Sequence, residues 1–203
     1  MESFAFCRAY HVGAADRVFA EETAPEHYPR DRTFHLRHVK LDIRLDEQAG
    51  EVRGTTTVSL SPLNDGLREI ELDGEDLHIR KVTDGDGKPL DYEYDTRRLK
   101  VRLGRSYKGG AEFTLVIAYD CRPKKGMFFV RPSKAYPNHP GMIWTQGEQE
   151  DNRCWFPSYD APNQRMTSEV VVAVNAKHFA VSNGRLLKQT RDVRRKTRTY
   201  HWL

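Results

Sequence analysis

Four side chains in one nineteen-residue stretch, Trp144 to Pro162 (WTQGEQEDNRCWFPSYDAP), have the types and spacing for polar chemistry: Gln146, Glu148, Arg153 and Asp160. Gln146 and Glu148 stand two apart, so on an extended strand both would project from one face. A carboxylate beside a carboxamide can bind a substrate, because a partly desolvated carboxylate makes charge-assisted hydrogen bonds worth about 1.5 to 3 kcal/mol. The same pair equally suits a solvated polar strand face, and the residues alone leave both readings open. Arg153 and Asp160 flank a knot of Trp155, Phe156, Pro157 and Tyr159. An arginine–carboxylate pair is a common way to hold an irregular loop, so these two are expected to brace the segment that carries Gln146 and Glu148. The aromatic residues of the knot are expected in the core.

The elements that must position this stretch read as strands. From Phe34 the pattern has period two, with Val39, Leu41, Ile43 and Leu45 alternating with Lys40, Asp42, Arg44 and Asp46. Gln48-Ala49-Gly50 turns the chain into EVRGTTTVSLSP, which is rich in β-branched residues. The runs REIELDG, LHIRKV, RLKVRL and AEFTLVIAY follow, separated by turn signals at Asp84–Gly87 and Lys108–Gly110. Residues 121 to 141, rich in Pro and Gly, predict an ordered excursion from the sheet. Beyond the knot, SEVVVAVNA predicts a buried strand, HFAVSNGRLLKQ a hairpin turning at Ser182-Asn183-Gly184, and KTRTYHWL one more strand. Strands that recur without a helix of useful length predict an all-β, sandwich-like or saddle-shaped domain with antiparallel pairing over residues 34–203. Residues 1–33, punctuated by Pro25 and Pro29, predict an extended lead-in or tail along its surface. The chain stops on Trp202 and Leu203 with no turn or polar tail, which gives the expectation of a domain cut from a longer protein.

Other chemistries find less support. His35 and His38, three apart on a strand, are expected on opposite faces, and His27 and His139 lie in Pro-flanked loops, so no metal is expected in this chain. Cys7, Cys121 and Cys154 are odd in number and widely spaced, which is no disulfide framework and favours a cytoplasmic protein. No apolar run approaches the ~20 residues of a membrane-spanning helix. Glu2, Arg8 and His11 interrupt any signal peptide. The formal charge of +4 comes from one run, Arg185 to Arg198, where seven cations face only Asp192 and leave a net −2 elsewhere. Clustered cations can neutralise phosphates. Without interleaved aromatics, this run reads as a solvated or interdomain face of a hairpin, and nucleic acid is not the expected partner.

The central stretch resembles the amino-terminal domain of aminopeptidase N-type zinc peptidases, whose pattern is close to T-Q-x-E-x-x-x-A-R-x-x-F-P-C-F-D-E-P. Thr145, Gln146, Glu148, Arg153, Phe156, Pro157, Asp160 and Pro162 match in register, while Asn152, Ser158, Tyr159 and Ala161 depart from it. Looser likenesses are AVSNG at 180–184 and Thr199-Tyr200-His201. The resemblance implies a domain whose rim forms one wall of an active site built mainly by a following catalytic domain. Gln146 and Glu148 would then reach the α-ammonium and first side-chain pocket of peptides with a free amino terminus. It also implies zinc in the full-length protein, held by H-E-x-x-H and a distant Glu, where the metal and a carboxylate activate water. This sequence contains no His-Glu pair and no G-x-M-E-N segment, so the chain alone is expected to be inactive. The alternative is a non-catalytic scaffold or protein-binding relative of the same architecture, as in a transcription-initiation subunit.

Overall fold

Period-two alternation makes one face of each long strand apolar, and those faces meet in a single core. The computed structural model describes residues 30–203. Almost all of the lead-in expected over 1–33 lies outside the described residues. The remainder, Asp31–Leu203, forms one compact unit. Its strands are β1 (Phe34–Asp46), β2 (Glu51–Pro62), β3 (Leu67–Asp73), β4 (His78–Asp84), β5 (Tyr92–Tyr94), β6 (Arg98–Tyr107), β7 (Phe113–Cys121), β8 (Met127–Val130), β9 (Met142–Thr145), β10 (Thr167–Asn175), β11 (Leu186–Asp192) and β12 (Thr197–Trp202).

A seven-stranded sheet runs β11-β12-β10-β1-β2-β7-β4, a second sheet runs β3-β6-β5, and β8 pairs with β9 alone. Leu36, Val58, Leu60 and Ile117 from the large sheet share one core cluster with Ile70, Leu72, Leu99 and Val101 from the second and Met127 from β8. The domain is all-β, as expected. Pairing is antiparallel except between β1 and β10, which run parallel with Leu41 beside Val170 and Ile43 beside Val172. β2 already occupies one edge of β1, so the chain returning from the knot adds β10 along the other edge. A crossover of that length makes a parallel pair available.

One local expectation gains detail and two change. The excursion at 121–141 contributes β8, and β8 and β9 together make a small sheet of their own. The hairpin expected at Ser182–Gly184 is absent. Gly184 does turn, at φ +87°, but residues 179–182 upstream are irregular. Arg185 instead exchanges backbone hydrogen bonds with Leu203 (2.6 and 3.0 Å). The hairpin is β11–β12, closed at Val193–Lys196. A bulge between Leu36 and His38 shifts the β1 register by one residue. Phe34, Leu36 and Val39 all point inward, which puts His35 and His38 on the same outer face rather than on opposite ones.

Candidate functional site

The β8–β9 hairpin carries the site. Phe128 and Trp144 stack across it at 4.4 Å between centroids, and the last ladder pair is Met127 with Thr145. Beyond that pair Gly126 adopts φ +74°, which turns β8's chain away and leaves β9 without a partner. Gln146 N–H still donates to Gly126 O (3.0 Å), and Asp151 N–H closes a turn onto Gly147 O (3.0 Å). Gln146 and Glu148 therefore stand on a turn after the strand, and the strand-face geometry expected for them does not hold. Both side chains are exposed. Neither receives a hydrogen bond from another described residue. The Glu148–Gln149 peptide is cis.

After that turn, a 3-10 turn at Asn152–Cys154 leads into the buried knot. Arg153 and Asp160 do come together. Arg153 Nη2 donates to Asp160 O (2.6 Å) and to Glu150 Oε2 (2.8 Å), and Asp160 Oδ2 accepts the Arg153 backbone N–H (2.9 Å) with Nε at 3.5 Å. Asn152 Nδ2 donates to Asp160 Oδ1 (3.3 Å). Burial of Asp160 raises its carboxyl above the ordinary range, against the pull of the Arg153 N–H and the Asn152 amide.

Sequence reasoning missed the third member of this network, Asp73 at the end of β3. Its Oδ2 accepts the Asp160 N–H (2.8 Å) across 87 residues. Its Oδ1 pairs with Arg98 and lies 3.8 Å from Arg153 Nη1. Its backbone bridges to Ser158 in both directions (2.6 and 3.0 Å). Asp73 is 2% exposed, so the knot is tied to the second sheet by a buried carboxylate. The one local signal was an acid following Leu72 at the end of an alternating strand, which reads as an ordinary strand end.

Trp155, Phe156 and Tyr159 are core residues, as expected. Trp155 meets Phe156 edge-on at 4.4 Å, and Tyr159 meets Phe34 at 5.8 Å. Burial pushes the Cys121 thiol up to about 12 and the Cys154 thiol up to about 11, so neither offers a thiolate nucleophile near neutral pH. An apolar groove of about 440 Å³ runs between β9 and the β1/β10 face and reaches Thr145, at the root of Gln146. Among the described residues, no three His, Cys, Asp or Glu side chains converge to hold a metal, and no helix is long and apolar enough to cross a membrane. His38 Nδ1 instead meets Thr167 Oγ1 at 2.7 Å. The basic run lies on β11, β12 and their turn at the sheet edge, with every residue of β11 after Leu186 exposed.

Comparison with known proteins places this architecture. Leucine aminopeptidase 2 of Candida glabrata is 23% identical over 144 residues, covering 67% of this chain and 21% of its own length. Aminopeptidase RNPEPL1 of Mus musculus is 23% identical over 179 residues, covering 68% of this chain and 25% of its own. The chain thus spans about a quarter or less of these curated relatives. Transcription initiation factor TFIID subunit 2 of Gallus gallus is 34% identical over 86 residues, 40% of this chain and 7% of that one. Among solved structures, the M1 zinc metallopeptidase from Deinococcus radiodurans superposes with a TM-score of 0.70 at 20% identity, over 84% of this chain and 39% of that one. Yeast LTA4 hydrolase in complex with bestatin gives 0.67 at 18%, over 90% and 29%. At those identities the likeness establishes the fold. A mutant of the Deinococcus radiodurans enzyme holds a Tyr-Ser-Ala substrate. The family profile named Peptidase M1 N-terminal domain matches residues 24–203, nearly the whole chain, and to that family this chain belongs.

Proposed function

We propose that the chain is the amino-terminal domain of a zinc-dependent aminopeptidase, in which it supplies the wall that binds the α-ammonium and first side chain of peptide substrates. The observation that carries this reading is the contrast within one segment. Gln146 and Glu148 are exposed and unengaged by other described residues, yet the backbone beside them is fixed by the Arg153–Asp160–Asp73 network. A side chain held ready but unsatisfied suits a ligand better than it suits packing. Glu148 would accept the ammonium in a charge-assisted bond, and the Gln146 carboxamide oxygen would take a second N–H. Arg153 and Asp160 would support the site without touching substrate.

The described residues do not fit a zinc site. The metal and the water-activating group would come from a catalytic domain outside this chain, and the chain alone would have no peptidase activity. The reading makes peptides with a free amino terminus and that domain the partners, with no role for membrane or nucleic acid, in a cytoplasmic protein. Cys121 and Cys154, both free thiols, accord with a reducing compartment.

The test is Glu148→Ala in the full-length protein. Loss of one charge-assisted bond to the amine is expected to lower kcat/KM for amino-terminal substrates by about 10- to 150-fold, with zinc content unchanged. Unaltered kinetics would remove Glu148 from the site. A second reading, a non-catalytic scaffold, is favoured by the 34% identity to TFIID subunit 2 over 86 residues. A full-length protein that binds no zinc and cleaves no peptide would decide for it.

A further inference from the structure

Because β9 ends at Thr145, strand pairing does not fix the direction of Gln146 and Glu148, and another device must do so. Gly147, the residue between them, lies against Asn152. A Cβ on Gly147 would stand 2.6 Å from Asn152 Cγ and closer still to both atoms of the amide head. That amide would have to give up a hydrogen bond to swing aside. Its nitrogen donates a hydrogen bond to Asp160 Oδ1 at 3.3 Å, and the backbone that carries it is fixed separately, the Asn152 main-chain carbonyl accepting the N–H groups of Trp155 and Phe156 at 3.1 and 3.2 Å. From the other side, Gly126 receives the Gln146 N–H. A Cβ at Gly126 would stand 2.9 Å from Trp155 Cδ1 and from the Asp151 carbonyl carbon. The segment 146–148 is thus held at two close approaches that need a bare Cα, Gly147 against Asn152 and Gly126 against Asp151 and Trp155.

We propose that Asn152 is a positioning residue for the amine-binding pair. Its carboxamide, packed on the bare Cα of Gly147 and tied to Asp160, sets the height and orientation of Gln146 and Glu148. Gly147 and Asn152 form a matched pair, in which bulk at 152 requires its absence at 147. The inference rests on the proposed role of Gln146 and Glu148 as the anchors of a substrate amine. It adds the residue that aims them, and it explains why an Asn is accommodated here: the space it fills is the space a larger residue 147 would occupy.

The two positions are tested as a cycle in the full-length protein, with aminoacyl-4-nitroanilides as substrates: Gly147→Ala, Asn152→Ala and the double variant. A displacement of roughly 1 Å at a binding group costs on the order of a hundredfold, and that fall in kcat/KM is expected for Gly147→Ala, with zinc content and thermal midpoint at wild-type values. In the double variant the collision is gone. Asn152→Ala alone, which loses the hydrogen bond to Asp160, is expected to lower kcat/KM about tenfold. The double variant is expected to recover from the Gly147→Ala value to that one, with the thermal midpoint unchanged. A merely structural role would instead move the midpoint and leave the kcat/KM of Asn152→Ala at the wild-type value. If Gly147→Ala does not yield folded protein, Asn152→Leu replaces it. Leucine fills the same space without a donor for Asp160, and a fall of about tenfold in kcat/KM is expected from the lost hydrogen bond. A harmless Gly147→Ala, a double variant no better than Gly147→Ala, or a harmless Asn152→Leu would each overturn the proposal. If Glu148→Ala is deleterious while rescue fails, only the positioning claim falls. If Glu148→Ala is without effect, the amine-binding reading falls, and this one with it.

Discussion

A buried carboxylate has to be compensated, and Asp73 is compensated by the groups that shape the site: Arg98, the Asp160 N–H and, more distantly, Arg153. Removing its charge leaves those donors facing a neutral amide. Asp73→Asn is therefore expected to cost about 3 kcal/mol in urea unfolding, at the low end for a buried pair because the Arg98 side chain is 36% exposed. A cost below about 0.5 kcal/mol, typical of an ordinary surface change, would mean that the network does not hold the knot. At this scale the sequence was legible where the contact is local. Arg153 and Asp160 are seven apart, and their types and spacing alone pair them. Asp73 is 87 residues from its partner, and the Gly147–Asn152 contact depends on where β9 stops, which Gly126 decides from the opposite strand. Neither leaves a periodic trace.

At the scale of elements, the parallel β1–β10 pair is stitched on its outer face by Glu169. Its carboxylate meets Lys40 Nζ of β1 and His201 Nε2 of β12, both at 2.7 Å, with His38 Nε2 at 3.5 Å. Partial burial raises the Glu169 pKa, but the hydrogen bonds from Lys40 and His201 outweigh it and leave the group below its ordinary 4.5. A depressed folded-state value contributes stability above the unfolded pKa, and that stability is lost as pH falls through the folded one. Wild type is thus expected to lose more stability than Glu169→Gln between pH 7 and pH 3. Urea midpoints measured at both values check this, and parallel losses in the two proteins would contradict it. The strands themselves were legible from alternation and β-branched content. Their partners were not, because the apolar run in SEVVVAVNA is the same whether β1 lies parallel or antiparallel to it. The turn at Ser182–Gly184 was legible too, but what precedes it is no strand: residues 178–182 are irregular, and Phe179 packs edge-on against Tyr200 at 5.1 Å.

At the scale of the whole molecule, a domain of the Peptidase M1 N-terminal family presents an exposed turn at Gln146 and Glu148, which in the proposed function binds a substrate amine for chemistry completed elsewhere. A relative of which this chain covers 25% leaves room for that division of labour. The central claim is that this chain contributes recognition of a free α-amine. The most direct measurement is competitive inhibition of the full-length protein by an amino-acid amide and by its N-acetyl form, in wild type and in Glu148→Gln. Wild type is expected to prefer the free amine by about tenfold or more, and Glu148→Gln, which keeps the shape but not the charge, is expected to lose most of that preference. An undiminished preference in Glu148→Gln would place amine recognition outside this chain.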